Sequence, residues 1–280
     1  MLELTVTTPQ TLKEFTENNY AQAAFYFTWL LKNKEIKVNG KKVGENVVLK
    51  EGDTVRYYLT KKQEETPAFY AVYEDENIFV ADKESGVNAE AVFAALARSG
   101  DYRFIHRIDR NTKGLLVFAK NGETETALLQ AFKERAVEKT YHALCFGALP
   151  KANDLMTAYL KKDEKNALVQ VYARPTDGAE KIVTEYKTLE RVGETTKIEV
   201  TLHTGKTHQI RAHFAFIGCP LVGDMKYGDT AKNRALNATR QRLVAKRLAF
   251  SLQGSLSYLN GKEFLSRFEV DFGGNGEWKA

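Results

Sequence analysis

Apolar and polar positions alternate with a helical period in the first part of the chain. Residues 11–34 read as helical at this spacing. Asn39-Gly40 then separates two short alternating segments, a pattern that predicts a β-hairpin because a type I′ turn needs positive φ at both central positions. Residues 47–59 predict a further strand after a turn at 51–53. The pattern therefore indicates a small helix–helix–hairpin unit. Its apolar helical anchors are Leu12, Phe15, Phe25, Trp29 and Leu30.

The strand period dominates after a polar stretch at residues 63–70, which contains Pro67 and predicts a linker. A run of strands joined by loops rather than by regular crossover helices predicts an α+β fold with a mixed, mostly antiparallel sheet. We therefore expect a module at 1–62, the linker at 63–70 and a large domain at 71–280. The strands are predicted at 77–82, 114–120, 140–149, 168–174, 182–192 and 197–205, with a helix at 88–100.

A second helix is predicted in the segment 204–220. Ile210, Phe214 and Ile217 are spaced i, i+4, i+7, Gly218 stands where a helix C-terminus is usually closed, and Pro220 prevents continuation. Free backbone N–H groups at the start of this helix, just after Gly205 and Lys206, would suit an anion.

Charge changes the picture only through its placement. The 280 residues carry a net charge of +5 and 43% apolar residues, so a sizeable core is available and the cationic excess is modest. Basic residues concentrate at 32–42 and at 226–247, each with one acid. Either patch would suit a polyanion such as RNA, or would simply be solvated surface.

Cysteine use and the apolar runs indicate a compartment. Cys145 and Cys219 form no C-x-x-C pair, which is typical of a reducing cytoplasm. The N-terminal residues show neither a basic leader nor an apolar signal segment, and the longest apolar stretch, 23–31, is too short to span a bilayer. We expect a soluble, cytoplasmic protein.

Cofactor motifs are weak. Gly205-Lys206-Thr207 resembles the end of a P-loop, but the glycine required five residues earlier is Val200, and no G-x-G-x-x-G exists. His203, His208 and His213 recur every five residues, a spacing that turns about 140° on a helix and changes face on a strand, so a metal site is not favoured. No cofactor and no metal are expected.

One carboxylate lies among cations in "FIHRIDRNTKGLLVFAK". Asp109 stands between Arg107 and Arg110, directly before an apolar strand. Alone, such an aspartate is most often a structural ion pair. Alternatively, the cations keep it ionised as a nucleophile or electrostatic catalyst and attract a phosphodiester backbone.

Three segments together carry a resemblance. "HRIDRNTKGLLVFAK", "EKTYHAL" and "TGKTHQIRAHFAFIGCPLVGDMKYG" resemble, in order and spacing, the three motifs of the RluA-type RNA pseudouridine synthases. The segment 1–62 is similar to the S4 RNA-binding module that often precedes that catalytic domain. The resemblance implies the pseudouridine synthase fold, with a central sheet flanked by helices and loops around a catalytic cleft.

The resemblance also implies a reaction and its residues. Members isomerise uridine in RNA by cutting the N1–C1′ bond and rejoining the base through C5, without a cofactor. The essential aspartate falls on Asp109, the tyrosine that stacks on the uracil on Tyr141, and the basic partner of the aspartate on Arg211. The base must leave its stack before reaction, and an aromatic face recovers part of that cost. The expected substrate-binding residues are His106, Arg107, Arg110, Lys206, Thr207, His208 and Gln209.

The identity of the RNA substrate and the class of protein stay open at this point. Large-subunit ribosomal RNA is the expected partner, with transfer RNA as an alternative, and the protein is expected to be a monomer. An RNA-binding protein that keeps the fold without the chemistry is the competing class. An RNA N-glycosidase is a remote third possibility.

The chain departs from the family pattern in places. Lys113 replaces a small hydroxyl residue, which would either tighten phosphate binding or alter the loop, and Lys206 replaces an arginine. The usual K-P-x-G reads "DKESG" at 82–86, a change that bears on the shape of that loop and on the RNA path. The S4-like segment lacks the usual serine/arginine cluster; either Lys32, Lys34 and Lys37 compensate, or the module binds RNA weakly.

Overall fold

A computed structural model describes residues 2–163 and 168–272. The chain divides into two compact units. Unit 1 comprises Met1–Arg110 and Leu116–Glu125, and unit 2 comprises Asn111–Leu115 and Thr126–Ala280.

The first part of unit 1 holds a four-stranded sheet and short helices. Its strand order is β1-β6-β3-β4, and β2 pairs with β5. Asn39 (φ 49°) and Gly40 (φ 77°) form the turn between β3 and β4, which confirms the predicted hairpin. The elements are β1 (Leu2–Thr5), β2 (Gln10–Thr11), α1 (Leu12–Asn19), α2 (Ala21–Phe25), α3 (Phe27–Lys32), β3 (Ile36–Val38), β4 (Lys41–Val43), β5 (Val48–Leu49) and β6 (Thr54–Tyr57).

Three short helices occupy the stretch that periodicity marks as helical. Thr11 and Glu14 form a capping box at the start of α1. Tyr20 then adopts an extended backbone (φ −146°), because its ring is buried edge-on against Tyr57 at 5.5 Å between centroids. Packing of one side chain therefore divides what the helical period alone would continue.

The rest of unit 1 is built on two buried strands. All six residues of β8 and all seven of β10 are buried, which agrees with the apolar runs 78–81 and 115–119 but also buries the charged residues Asp82, Lys83 and Lys113. Thr60 and Gln63 cap a short helix, α4, at the start of the predicted linker. The elements are α4 (Lys61–Glu64), β7 (Phe69–Glu74), β8 (Ile78–Lys83), α5 (Ala89–Ala97), β9 (Arg103–Phe104), β10 (Lys113–Ala119) and α6 (Gly122–Glu134), of which β10 begins, and α6 ends, in unit 2.

Unit 2 is a mixed, mostly antiparallel sheet with short helices, which confirms the predicted α+β class. The strand order is β13-β12-β14-β15-β11-β16-β10. Every pairing described in it is antiparallel except that of β10 with β16. The further elements are β11 (Val137–Phe146), β12 (Asn153–Asp163), β13 (Leu168–Tyr172), β14 (Glu180–Val192), β15 (Thr195–Leu202), α7 (Gln209–Phe216), α8 (Thr230–Ala235), β16 (Leu243–Phe250), a 3-10 helix (Gly254–Leu259) and β17 (Glu263–Leu265).

Helix α7 ends as its sequence predicts. Ile217 closes it, and Gly218 follows with φ 79°, the left-handed conformation that glycine adopts without strain. Across residues 2–163 and 168–272, the helices are all too short or too polar to cross a membrane.

Candidate active site

The turn that carries Asp109 joins β9 to β10 and is held mainly through Arg110. The carbonyl of Arg110 accepts hydrogen bonds from the Gly86 amide (2.9 Å) and from Lys83 Nζ (3.1 Å). Its guanidinium Nε donates to the Gly86 carbonyl (3.1 Å), and Nη1 pairs with Glu17 at 2.9 Å. The residue after Asp109 is therefore fixed at both its backbone and its side chain, while Asp109 itself is half-buried.

A buried lysine, Lys83, also binds the backbone of this turn. Lys83 is fully buried, and its Nζ also donates to the carbonyls of Glu84 (2.9 Å) and Val87 (2.8 Å). Burial lowers the pKa of Lys83 to about 7, against the opposing effect of the negative charge of Asp109, which raises it. The "DKESG" segment thus supplies a buried amine donor and a glycine to the turn.

His106 and Arg107, in the same motif, have different partners and different exposure. His106 Nε2 accepts the Val117 amide (3.1 Å) and so ties the motif to β10. Arg107 is exposed and pairs with Glu90 at 3.0 Å. Of the two, Arg107 is the one presented to solvent.

Tyr141 lies at an irregularity of strand β11. Thr140 pairs with Arg247 whereas Tyr141 pairs with Ala245, so Lys246 is an extra residue on β16 at this point. Such bulges redirect side chains and are common beside active sites. Tyr141 is buried, with 8% of the residue exposed.

Arg211 is buried on α7, not on a helix surface. Its Nε and Nη2 donate to the two carboxylate oxygens of Asp224 at 2.7 and 3.0 Å, and its guanidinium carbon lies 5.2 Å from the centre of the Tyr227 ring. Burial alone would raise the pKa of Asp224, but the hydrogen bonds and charge of Arg211, with the amides of residues 226 and 227, hold that pKa below its ordinary value. The pair fixes the plane of the guanidinium.

The turn before α7 is largely occupied by internal bonds. The Gln209 side chain is buried, with Oε1 accepting from the Lys206 amide (3.1 Å) and Nε2 donating to Thr184 Oγ1 (3.0 Å). His208 has φ 55°, and its Nδ1 lies 2.8 Å from the Tyr227 hydroxyl. Lys206 Nζ pairs with Glu180, and Thr207 is exposed. Of these four, Thr207 is the most open to solvent.

The three regularly spaced histidines face different partners. His203 pairs with Glu185 (2.8 Å), His208 with Tyr227, and His213 with Thr184 Oγ1 (3.0 Å). Within the described parts of the chain, His, Cys, Asp and Glu form no group of three that could hold a metal ion.

Lys113, which replaces the small hydroxyl residue of the family motif, is buried. Its side chain belongs to β10, and its Nζ lies 4.1 Å from the centre of the Phe268 ring. Gly114 follows with φ 112°, and a β-carbon there would lie 2.3 Å from the Ala245 carbonyl oxygen. Lys113 is therefore packed inside unit 2, and only glycine fits beside it.

The predicted residues divide between the units, with His106, Arg107, Asp109 and Arg110 in unit 1 and the other six in unit 2. Sequence reasoning missed the residues that hold them: Glu17, Lys83, Asp224 and Tyr227. Asp224 and Tyr227 lie inside the third quoted motif, so their presence there was the available signal. Nothing in the sequence pattern singles out Glu17.

Comparison with known proteins decides the family. A family model described as RNA pseudouridylate synthase matches residues 32–216. The chain belongs to the RNA pseudouridylate synthase family. Two curated relatives named ribosomal large subunit pseudouridine synthase C agree with this. That of Rickettsia felis is 30% identical over 231 residues, covering 71% of this chain and 75% of its own. That of Vibrio cholerae is 31% identical over 228 residues, covering 71% and 70%.

Solved structures show the same fold for this pseudouridylate synthase. Human RNA Pseudouridylate Synthase Domain Containing 1 superposes with a TM-score of 0.57 at 24% identity, covering 66% of this chain and 79% of that one. Human RNA Pseudouridylate Synthase Domain Containing 4 gives 0.54 at 21% identity, covering 64% and 82%. These likenesses identify the pseudouridine synthase fold that the three motifs predict.

Proposed function

We propose that this enzyme converts uridine to pseudouridine in structured RNA, with large-subunit ribosomal RNA as the substrate. The family supports the reaction, and the printed names of the curated relatives support the substrate class. The observation that carries the proposal is the turn at Asp109, where the backbone is anchored at Arg110 and Asp109 is only half-buried. An anchored carboxylate that solvent reaches is what a nucleotide-facing catalyst requires.

Asp109 is proposed as the catalytic carboxylate. It initiates cleavage of the N1–C1′ bond, and the base then turns so that C5 bonds to C1′ of the same ribose. C5 afterwards loses its proton and N1 takes one up, so no proton is gained or lost overall. The isomerisation is redox-neutral and transfers no external group, so the atoms balance without a co-reactant. The nearby Lys83 supports the negative charge electrostatically.

Tyr141 is proposed as the platform for the extruded uracil. A base inside a duplex cannot be reached, and extrusion costs a few kcal/mol. Stacking on an aromatic ring returns about 1–3 kcal/mol per base. The bulge at Lys246 of β16, opposite Tyr141, gives this tyrosine a position that regular pairing would not.

Arg211 is proposed as the cation that serves the aspartate and the substrate. The guanidinium of Arg211 is held in a single orientation, because it makes a bidentate pair with Asp224 and lies over the ring of Tyr227. A preoriented cation stabilises developing negative charge without reorganising during the reaction.

The segment 1–62 is proposed as an S4-like RNA-binding module. Exposed lysines lie at the end of α3 and in the β3–β4 hairpin, and such a cationic strip attracts phosphate backbones. The exposed lysines of the strip are Lys32, Lys34, Lys41 and Lys42.

We further propose that the enzyme acts as a monomer in the cytoplasm.

Pseudouridine mapping tests the proposal. Total RNA from cells lacking this gene should lose the modification at one or more large-subunit ribosomal positions. Wild-type protein supplied in trans should restore it, whereas Asp109→Asn, expressed at the same level, should not. Loss confined to transfer RNA would reassign the substrate. Unchanged maps, or restoration by Asp109→Asn, would refute the proposed reaction or the assigned carboxylate.

A further inference from the structure

Helix α1 touches the catalytic turn directly. Glu17, near its C-terminal end, reaches Arg110 Nη1 at 2.9 Å, and the side chain of Glu17 is only 15% exposed. The next residue, Asn18, accepts a hydrogen bond from Asn88 Nδ2 at 2.8 Å. Two successive residues of the N-terminal segment therefore hold the two chain segments, 84–88 and 109–110, that form the base of the turn.

Arg110 joins these segments to each other. Gly86 and Arg110 exchange two hydrogen bonds, one from the Gly86 amide to the Arg110 carbonyl and one from Arg110 Nε to the Gly86 carbonyl. Glu17 pairs with Nη1, which lies on the opposite edge of the same guanidinium. A guanidinium held by acceptors on two edges has one orientation, whereas a guanidinium held on one edge still pivots.

Gly86 receives a second contact from the N-terminal segment. Its φ is +84°, and the ring of Phe25, in α2, lies 3.7 Å from the position a β-carbon would take. The 84–88 loop is therefore packed between α2 on one side and Arg110 on the other.

We infer that Glu17 is a positioning residue: through Arg110, the N-terminal segment sets the turn that presents Asp109. This inference rests on the proposed function, in which Asp109 is the catalytic carboxylate. The N-terminal segment then contributes to the rate of the chemical step as well as to RNA binding. A mispositioning of about 1 Å is enough to slow a catalysed reaction on the order of a hundredfold.

The test uses the full chain and separates rate from affinity. Substrate is large-subunit ribosomal RNA transcribed in vitro with tritium at uridine C5, and tritium release is followed in single turnover at saturating enzyme. Glu17→Gln should slow release by about tenfold or more, with less than about a twofold change in RNA Kd from filter binding. Arg110→Gln should slow it similarly, and the double variant should be no slower than the slower single variant, because both remove one shared interaction.

Arg98→Gln is the matched control. Arg98 Nη1 donates to the Asn19 carbonyl at 3.2 Å, so it also links the N-terminal segment to the rest of unit 1, but it does not touch the turn. This variant should keep the wild-type rate. A Glu17→Gln rate equal to wild type, or losses in the two single variants that multiply in the double variant, would overturn the inference.

Hydrogen exchange at the Gly86 amide gives a readout that needs no activity. That amide bonds to the Arg110 carbonyl, so Glu17→Gln should speed its exchange by about tenfold while Arg98→Gln leaves it unchanged. Should the wild-type enzyme release no tritium, the proposed function fails, and the Gly86 exchange still decides whether Glu17 holds the turn. Equal exchange in wild type and Glu17→Gln would contradict the positioning role.

Discussion

Gly114 and Tyr141 pair with the same residue, Ala245, from opposite sides of strand β16. Neighbouring strands lie about 4.8 Å apart, so the two α-carbons are separated by about 10 Å. Gly114 is five residues after Asp109, and the parallel pairing of β10 with β16 needs a residue without a side chain there. Gly114, in the first motif, is therefore required for β16 to pack between β10 and the β11 strand that carries Tyr141.

Gly114→Ala should destabilise unit 2. The new β-carbon would meet backbone atoms at 2.3 Å, and its φ of 112° is strained for any L side chain. We expect a loss of about 3 kcal/mol or more in the free energy of unfolding, measured by urea denaturation. Gly122→Ala is the control, because nothing lies within 4 Å of a β-carbon there. Equal stability of the two variants would show that β10 and β16 do not approach as described.

Substitutions of Tyr141 should separate stacking from the hydroxyl. Tyr141→Leu removes the aromatic face and should weaken binding of a short RNA substrate by about 5- to 150-fold, the equivalent of 1–3 kcal/mol. Tyr141→Phe keeps the face, so its Kd should stay near wild type, and any fall in its single-turnover rate reports proton transfer by the hydroxyl. Filter binding measures the RNA Kd of both variants, and single-turnover kinetics measures the rate of Tyr141→Phe. Wild-type affinity in Tyr141→Leu would contradict the stacking role.

The pair of Arg211 with Asp224 should be worth far more than a surface pair. Asp224→Asn leaves a buried guanidinium without its counter-charge and should reduce stability by about 3–5 kcal/mol. Asp154→Asn breaks the exposed pair with Lys151 in the same unit and should cost at most about 1 kcal/mol. Urea denaturation of both variants checks this. Losses of similar size would mean that Asp224 does not orient Arg211 in solution.

Acid stability should depend on His213. Burial lowers the pKa of His213 from 6.5 to about 4, so the unfolded chain takes up a proton near pH 6.5 and the folded chain only near pH 4. Stability is therefore lost as the pH falls from 6.5 to 4, by on the order of 3 kcal/mol from this group. His213→Asn keeps a polar group near Thr184 and cannot titrate, so the stability difference between variant and wild type should shift by that amount between pH 7 and pH 4. Parallel pH curves would contradict the burial of a neutral imidazole.

Local signals predicted much of the fold. The Asn39-Gly40 hairpin, the end of α7 at Gly218 and six strands of the large domain (β8, β10, β11, β13, β14 and β15) follow from turn chemistry and short-range periodicity. The elements that were not predicted include helix α6 and strands β7, β12 and β16, although Leu128 and Ala131 of α6 are buried at helical spacing. The break at Tyr20 could not be read locally, because its cause is a ring 37 positions away in sequence, at Tyr57.

The candidate site divides in the same way. Asp109, Tyr141 and Arg211 follow from motif resemblance, but the residues that hold them do not. Glu17 pairs with a residue far along the chain, and a carboxylate on an amphipathic helix reads as ordinary solvated surface. The buried state of Lys83 also opposes the general tendency of lysine to stay exposed, and only the three carbonyls around its Nζ explain it.

The most direct measurement of the central claim is single-turnover tritium release by Asp109→Asn on C5-labelled ribosomal RNA at saturating enzyme. Asparagine keeps the shape of the side chain and removes its charge, so RNA Kd should stay within about threefold of wild type while the rate falls by at least about a thousandfold. Release at a rate near wild type, with correctly folded protein and equal RNA binding, would contradict the role of Asp109 as the catalytic carboxylate.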